Sequence, residues 1–218
     1  MLNVRLLLEK AFRLVHRGGV RGFVAKVVKE SVYRQPVDEF DKVNGTDTAG
    51  EAQLWRFKIP YASARFGAAY KAPEERRIQE ALESIPRYAT VVDLGCGKGR
   101  PLIVAARMGF SHVIGVEFAC ELADIARKNL VITSKGWVTV IEGDATEYEL
   151  PDGSLCVYLY SPFGLEVMRR VAAKLEARSG ETWVVYLNPY SEAGSAELFD
   201  AFMERDVEKS GLIVWRKR

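Results

Sequence analysis

The sequence predicts an α/β fold, a doubly wound and mostly parallel sheet, on three observations. A β-branched apolar run ending in an acid, Val91-Val92-Asp93-Leu94, leads into Gly95-Cys96-Gly97-Lys98-Gly99-Arg100, and a helical pattern begins at once at Pro101-Leu102-Ile103-Val104-Ala105-Ala106. Strand, glycine turn and helix start in that order form the opening βα unit of an open α/β sheet. Short apolar runs then alternate with helical patterns along the rest of the chain, which implies parallel strands joined by crossover helices. Finally, Asp93, Glu117, Asp144, Ser161 and Asn188 all fall at strand exits, the end of such a sheet where ligands bind.

Taken in order, the chain begins with a basic stretch. Val4, Leu7, Leu8, Ala11, Phe12 and Val15 are spaced as one face of a helix, with Arg5, Lys10, Arg13 and Arg17 elsewhere on the wheel. Gly18-Gly19 interrupts the pattern, and Phe23, Val24, Val27 and Val28 suggest a second short helix. Residues 1–34 hold eight Lys or Arg against Glu9 and Glu30, a net of +6 within a chain of net +2. Such an arm suits peripheral contact with an anionic membrane or with RNA, but packing of its apolar face on the main domain is the expectation. Glu9 and Glu30 argue against a targeting presequence. Residues 35–60 read as a polar, turn-rich loop. The division expected is therefore a helical arm and loop over 1–60 and a ligand-binding domain over 61–218.

Within that domain, the aromatic segment Tyr61 to Tyr70 precedes a helix that opens at Pro73-Glu74-Glu75 and runs to Ile85. The first strand and its glycine turn follow. His112–Glu117 is the second strand, a helix covers Cys120–Leu130, and Val138–Glu142 is the third strand, ending in Gly143-Asp144-Ala145. Leu155–Tyr160 is the fourth strand, leaving through Ser161-Pro162-Phe163-Gly164. A helix over Leu165–Ala177 leads to a fifth strand, Thr182–Leu187, which leaves through Asn188-Pro189-Tyr190. A helix near Ala196–Met203 and a closing strand at Leu212–Trp215 complete the chain.

Two details decide what the glycine turn holds. A dinucleotide fingerprint reads G-x-G-x-x-G and seats a pyrophosphate on the helix N-terminus. Here the third glycine arrives one residue early, at Gly99, and Arg100 takes the final place. Asp93 stands beside the turn, where a carboxylate repels a pyrophosphate. S-adenosylmethionine (SAM) carries an ammonium and a sulfonium and no phosphate, so the acid favours SAM. An NAD(P)-dependent oxidoreductase is the weaker alternative, and a non-catalytic SAM-binding adaptor using the basic arm is another. Glu117 lies about 20 residues past the turn, where an acid accepts ribose hydroxyls; Phe118 is placed to flank the adenine.

The run Asp93-Leu94-Gly95-Cys96-Gly97-Lys98-Gly99-Arg100 resembles motif I of the class I SAM-dependent methyltransferases, and the likeness extends over roughly residues 70 to 218. The resemblance implies a Rossmann-like fold, SAM as cofactor and a binding set of Tyr70, Asp93, Gly95, Cys96, Gly97, Arg100, Glu117, Phe118, Asp144 and Ala145. It gives Asp144 the adenine amino group, and it makes Tyr70, Phe66 and Arg65 candidates for a lid, because in related enzymes the segment before this helix closes over the cofactor. Phe40-Asp41 and Gly45-Thr46-Asp47-Thr48 are similar to the front of some small bacterial methyltransferases of undefined substrate.

Tyr160, Ser161 and Asn188 are the candidates for the catalytic end. Amino-methylating relatives carry Asn/Asp-Pro-Pro-aromatic where this chain has Ser161-Pro162-Phe163-Gly164. That departure argues against a nucleobase amine, and no nucleic-acid partner is expected. The acceptor expected is a small molecule or a protein side chain; the Gly-Lys-Gly-Arg form of the turn also resembles that of lysine-methylating proteins, which makes a protein lysine a live substrate. His16 and His112 lie away from the site, so histidine catalysis is not expected, and Ser161 supplies no acid for a metal, so none is expected. Cys96, Cys120 and Cys156 are odd in number and each lies in an apolar element, which suits reduced thiols in a cytoplasm.

Overall fold

The computed structural model describes residues 38–133, 137–189 and 194–217. The two helices expected in the basic arm lie outside the described residues. Residues 37–218 form one compact unit, so the stretch over 37–60, expected as part of an arm and loop, belongs to the body of the domain. It is also not all loop. Helix α1 (Glu39–Asn44) is capped by Asp38, whose side chain accepts from the Asp41 N–H, and it ends at Gly45 with φ 68°. Strand β1 (Glu51–Ala52) pairs antiparallel with β2 (Tyr70–Lys71). Two 3₁₀ turns, Leu54–Arg56 and Ala62–Phe66, lie between them.

The main sheet has seven strands: β3 (Thr90–Leu94), β4 (His112–Glu117), β5 (Trp137–Glu142), β6 (Leu155–Tyr160), β7 (Thr182–Leu187), β8 (Glu204–Lys209) and β9 (Leu212–Lys217), in the order β5-β4-β3-β6-β7-β9-β8. The first five are parallel; β9 pairs antiparallel with both β7 and β8. Helices α2 (Glu75–Leu82), α3 (Arg100–Arg107) and α4 (Cys120–Thr133) precede or link the early strands, while α5 (Leu165–Ala177) and α6 (Glu197–Asp200) follow β6 and β7. Alternation along β3 explains the two layers. Val91 faces Ile78, Leu82, Leu102 and Ile103 of α2 and α3, whereas Val92 and Leu94 face Val167, Met168 and Val171 of α5. Strands buried on both faces read as continuous apolar runs, which is why β3, β6 and β7 were legible, and the half-exposed edge strand β5 was marked by its Val138 and Val140, which pack on the core.

Strand β8 was not foreseen. Its Glu-Arg-Asp-Val-Glu-Lys run is almost wholly exposed, as an edge strand can be, and only Val207 packs against the core. The helix expected over Ala196–Met203 is shortened to Glu197–Asp200, because the chain must turn into that edge at Glu204. Among the described residues no helix is long and apolar enough to cross a membrane.

The direction of winding reverses between β3 and β6, the switch point at whose carboxyl end a ligand crevice opens. The strand exits bearing Asp93, Glu117, Ser161 and Asn188 gather there.

Candidate active site

The glycine turn closes onto the sheet rather than onto solvent. Gly95, Gly97 and Gly99 all hold positive φ, and a Cβ at Gly97 would lie 2.3 Å from the Tyr70 ring, so only glycine fits between turn and aromatic. Four amides of the turn are already used. The Gly95 and Cys96 N–H groups donate to the Val116 carbonyl at 2.8 and 3.1 Å, and that of Gly99 to the Cys96 carbonyl at 2.9 Å. The Gly97 N–H donates to Glu117 Oε2 at 2.8 Å. A phosphate here would meet a carboxylate where a dinucleotide turn offers free N–H donors.

Two connected chambers lie at this end of the sheet. The larger, about 580 Å³ counting its open mouth, is lined by Tyr70, Asp93, Gly95, Cys96, Gly97, Glu117 and Phe118, with Leu54, Lys71, Pro73, Tyr160, Ser161, Pro162 and Phe163 completing its wall. The smaller, about 270 Å³, is bounded by Ser63, Val116, Gly143, Asp144, Ala145 and Val167, and shares Gly95, Phe118 and Phe163 with the first. Both are within or near the size range of small-ligand sites.

The acids in these chambers differ in state. Asp93 is 2 % exposed, and its Oδ2 has no hydrogen-bond partner among the described residues. Burial, with the Glu117 charge adding to it, holds its pKa well above the ordinary carboxylate range. Burial likewise pushes Glu117 up to about 7, against hydrogen bonds from the Ala119, Gly97 and Phe118 amides. Asp144 goes the other way. Burial alone would raise it, but bonds from the Ser63 hydroxyl and from Thr146 outweigh that and leave it below the usual value.

Residues 91–177, which contain the turn and the strands that carry these acids, match the family model described as a methyltransferase domain. That match supports a SAM-dependent methyltransferase domain over this stretch. A curated relative, the ribosomal protein L11 methyltransferase of Dechloromonas aromatica, is 36% identical over 74 residues, covering 34% of this chain and 24% of that protein. Among solved structures, a predicted N6-adenine-specific DNA methylase from Listeria monocytogenes aligns with TM-score 0.53 and 14% identity over 67% of this chain and 51% of its own. An RNA methyltransferase from Salinibacter ruber, in complex with S-adenosyl-L-homocysteine, aligns with TM-score 0.50 and 22% identity over 66% and 91%. At these identities the likeness is one of fold. The chain spans about a quarter of the length of the L11 methyltransferase and about half that of the Listeria protein.

A methyltransferase reading fits the residues present. The Asp93 carboxyl, its Oδ2 unpartnered among the described residues, beside a turn whose four amides at Gly95, Cys96, Gly97 and Gly99 are bonded, suits a cation better than a phosphate. In the smaller chamber, Phe118 and Phe163 offer apolar faces and Asp144 an acceptor, as an adenine requires. Nine of the ten residues expected to bind cofactor, Tyr70, Asp93, Gly95, Cys96, Gly97, Glu117, Phe118, Asp144 and Ala145, line one chamber or both.

Arg100 is the exception. It is 4 % exposed and turns away from the chambers, donating to Thr48 Oγ1 at 2.8 Å, the Pro73 carbonyl at 3.1 Å and Asp38 Oδ2 at 2.5 Å. The side chain of the first helical residue points back toward the preceding segment, so it braces residues 38–73 against the turn.

At the catalytic end, Tyr160 and Ser161 line the larger chamber and Asn188 does not. Ser161 and Asn188 are the two non-glycine residues with positive φ among those described, at 42° and 48°, and the Ser161 hydroxyl donates to the Asn188 carbonyl. Asn188 thus meets Ser161 through its backbone carbonyl. Of the three lid candidates, only Tyr70 enters the larger chamber; Arg65 and Phe66 face a separate hollow beside Asp144 and Arg170. This segment is stitched to the β6 exit by the Ala68 N–H on the Pro162 carbonyl at 3.0 Å and the Gly164 N–H on the Phe66 carbonyl at 2.6 Å. Ser63, Lys71 and Phe163 were missed as site residues. Ser63 and Lys71 lie in the aromatic and strand segments before α2, and no local pattern separates them from lid or packing residues.

Proposed function

We propose that this chain transfers a methyl group from SAM to a small-molecule or protein side-chain acceptor. The observation that carries the reading is the pairing of a buried acid, Asp93, whose Oδ2 has no partner among the described residues, with a glycine turn whose amide at Gly97 is bound to a second acid, Glu117. Asp93 would face the ammonium of the methionine portion, Glu117 the ribose, and Asp144 with Phe118 the adenine.

The cofactor's sulfonium supplies an activated methyl and a ready leaving group, so the protein has to place the acceptor and exclude water. Tyr160, Ser161, Pro162 and Lys71 form the wall on which the acceptor would rest. The Ser161 proton is committed to the Asn188 carbonyl, which leaves the serine oxygen able to accept a hydrogen bond from an acceptor N–H or O–H. No side chain on this wall is an acid or histidine, which favours acceptors that are nucleophilic without a protein base, such as an amine or thiolate.

Calorimetric titration with SAM and with NAD tests the cofactor. Micromolar SAM binding that Asp93→Ala abolishes, with no response to NAD, supports the reading; binding of NAD in preference to SAM overturns it. Labelled SAM incubated with protein, nucleic-acid, lipid and metabolite fractions identifies the acceptor class, and label confined to nucleic acid overturns the acceptor assignment.

A further inference from the structure

Behind the glycine turn, residues 38–49 form a polar network with no direct contact to the chambers. Asp41 is 2 % exposed and its carboxylate gathers the next turn of chain. Oδ1 accepts from the Thr46 and Thr48 hydroxyls, both at 2.6 Å, and from the Thr48 N–H at 2.8 Å; Oδ2 accepts from the Ala49 N–H at 2.6 Å. Hydrogen bonds of this number hold the carboxylate ionised despite its burial.

The loop so shaped presents its outer groups to motif I. Thr48 Oγ1, having given its proton to Asp41, accepts from Arg100 Nε at 2.8 Å. Lys98, 1 % exposed, donates to Asp47 Oδ1 at 2.7 Å and to the Ala49 carbonyl at 3.1 Å. The Thr48 carbonyl accepts the Tyr70 hydroxyl, and the Tyr70 ring is the aromatic that closes on Gly97. Replacing buried ionic groups with apolar ones is often neutral or stabilising, so a packing role alone does not call for three of them here. Lys98 and Arg100 reach from the turn to this loop, and Asp41, its Oδ2 3.9 Å from Arg100 Nη2, shapes the loop that receives them and the carbonyl that holds Tyr70.

We propose that Asp41 is a positioning residue for the methyl-donor site, acting through the Thr48 carbonyl to hold Tyr70 over Gly97. The proposal rests on the SAM reading above and extends it to a segment outside both chambers. Asp41 does not touch the cofactor. It fixes the direction of one main-chain carbonyl, that carbonyl fixes the Tyr70 hydroxyl, and the ring then walls the cleft.

A double-mutant cycle on SAM affinity tests it. Tyr70→Phe keeps the ring and cuts its tie, and Asp41→Asn weakens the loop that bears the carbonyl. Each is expected to weaken SAM binding about tenfold, the scale of one lost hydrogen bond, and the double variant by about the same tenfold, because both cut one connection. Effects that multiply, or a Tyr70→Phe protein that binds as wild type, overturn the proposal. Thermal midpoints measured alongside separate the structural role, since a mere packing function lowers the midpoint of Asp41→Asn without coupling to Tyr70. Should Asp41→Asn fold poorly, Thr46→Ala removes one Asp41 bond and leaves Arg100 its partner; the same coupling is expected, and its absence overturns the proposal. A wild-type chain that binds no SAM overturns the parent reading as well, whereas SAM binding without coupling overturns this one only.

Discussion

Asp93 and Tyr158 are neighbours in register on adjacent parallel strands, on one face of the sheet, and both are buried with an oxygen that has no partner among the described residues. An unpaired buried hydroxyl costs stability. Tyr158→Phe is therefore expected to raise the melting temperature by about 2–4 °C, the shift that roughly 1 kcal/mol produces in a domain of this size; a fall measured by calorimetry would show that the hydroxyl has a partner in solution. Glu117 gives a second prediction. Its pKa is about 7 in the folded chain against 4.5 for the free group, so between those values the native state holds a proton that the unfolded state has lost. Stability must then fall as pH rises from about 4.5 to 7, by roughly 3 kcal/mol at most, and Asp93 acts in the same direction. Asp41, Asp144 and Asp200, held below their usual values, lose stability only at lower pH and leave this window clear. Thermal scans of the ligand-free protein should show the decline, Glu117→Gln should flatten it, and saturating SAM should reduce it, since a cationic ligand favours the ionised acids.

Ser161 and Asn188 belong to strand exits, where the β6 and β7 ladders end and the backbone must turn toward the cleft. A serine at φ 42° carries strain that glycine does not. Ser161→Ala and Ser161→Gly both lose the bond to the Asn188 carbonyl, but only glycine relaxes the backbone. The glycine variant should be the more stable of the two by about 1 kcal/mol, read from denaturant midpoints, while both lose turnover with SAM affinity little changed. Strand β8 shows another use of an element. Its exposed Glu204 and Glu208, with Arg205 and Lys209, keep the sheet's free edge from pairing with another chain. Replacing Glu204 and Glu208 by valine should produce association visible by sedimentation, and a strictly unchanged sedimentation profile would mean that the edge is guarded some other way.

For the whole molecule, residues 37–218 contain both core layers and the described walls of both chambers. A chain beginning at Val37 is expected to unfold in one cooperative step and to bind SAM within about twofold of the full chain; a larger loss would assign the first 36 residues a part in the site. What the sequence determined by itself was the βα succession, the five parallel strands and the acids at their ends, because apolar strand runs, the β5 edge included, and a glycine turn leave patterns that depend on near neighbours in the chain. What only the tertiary structure decided was the company each side chain keeps. Arg100 looked like part of the cofactor turn until the fold aimed it at Thr48 and Asp38, and 37–60 looked like a loop until Asp41 gathered it against motif I. The charged strand β8 was hidden for the same reason. Its pairing is supplied by β9, and a polar edge carries no periodic mark of its own. Contacts across 50 or 60 residues are set by packing, and no local spacing records them.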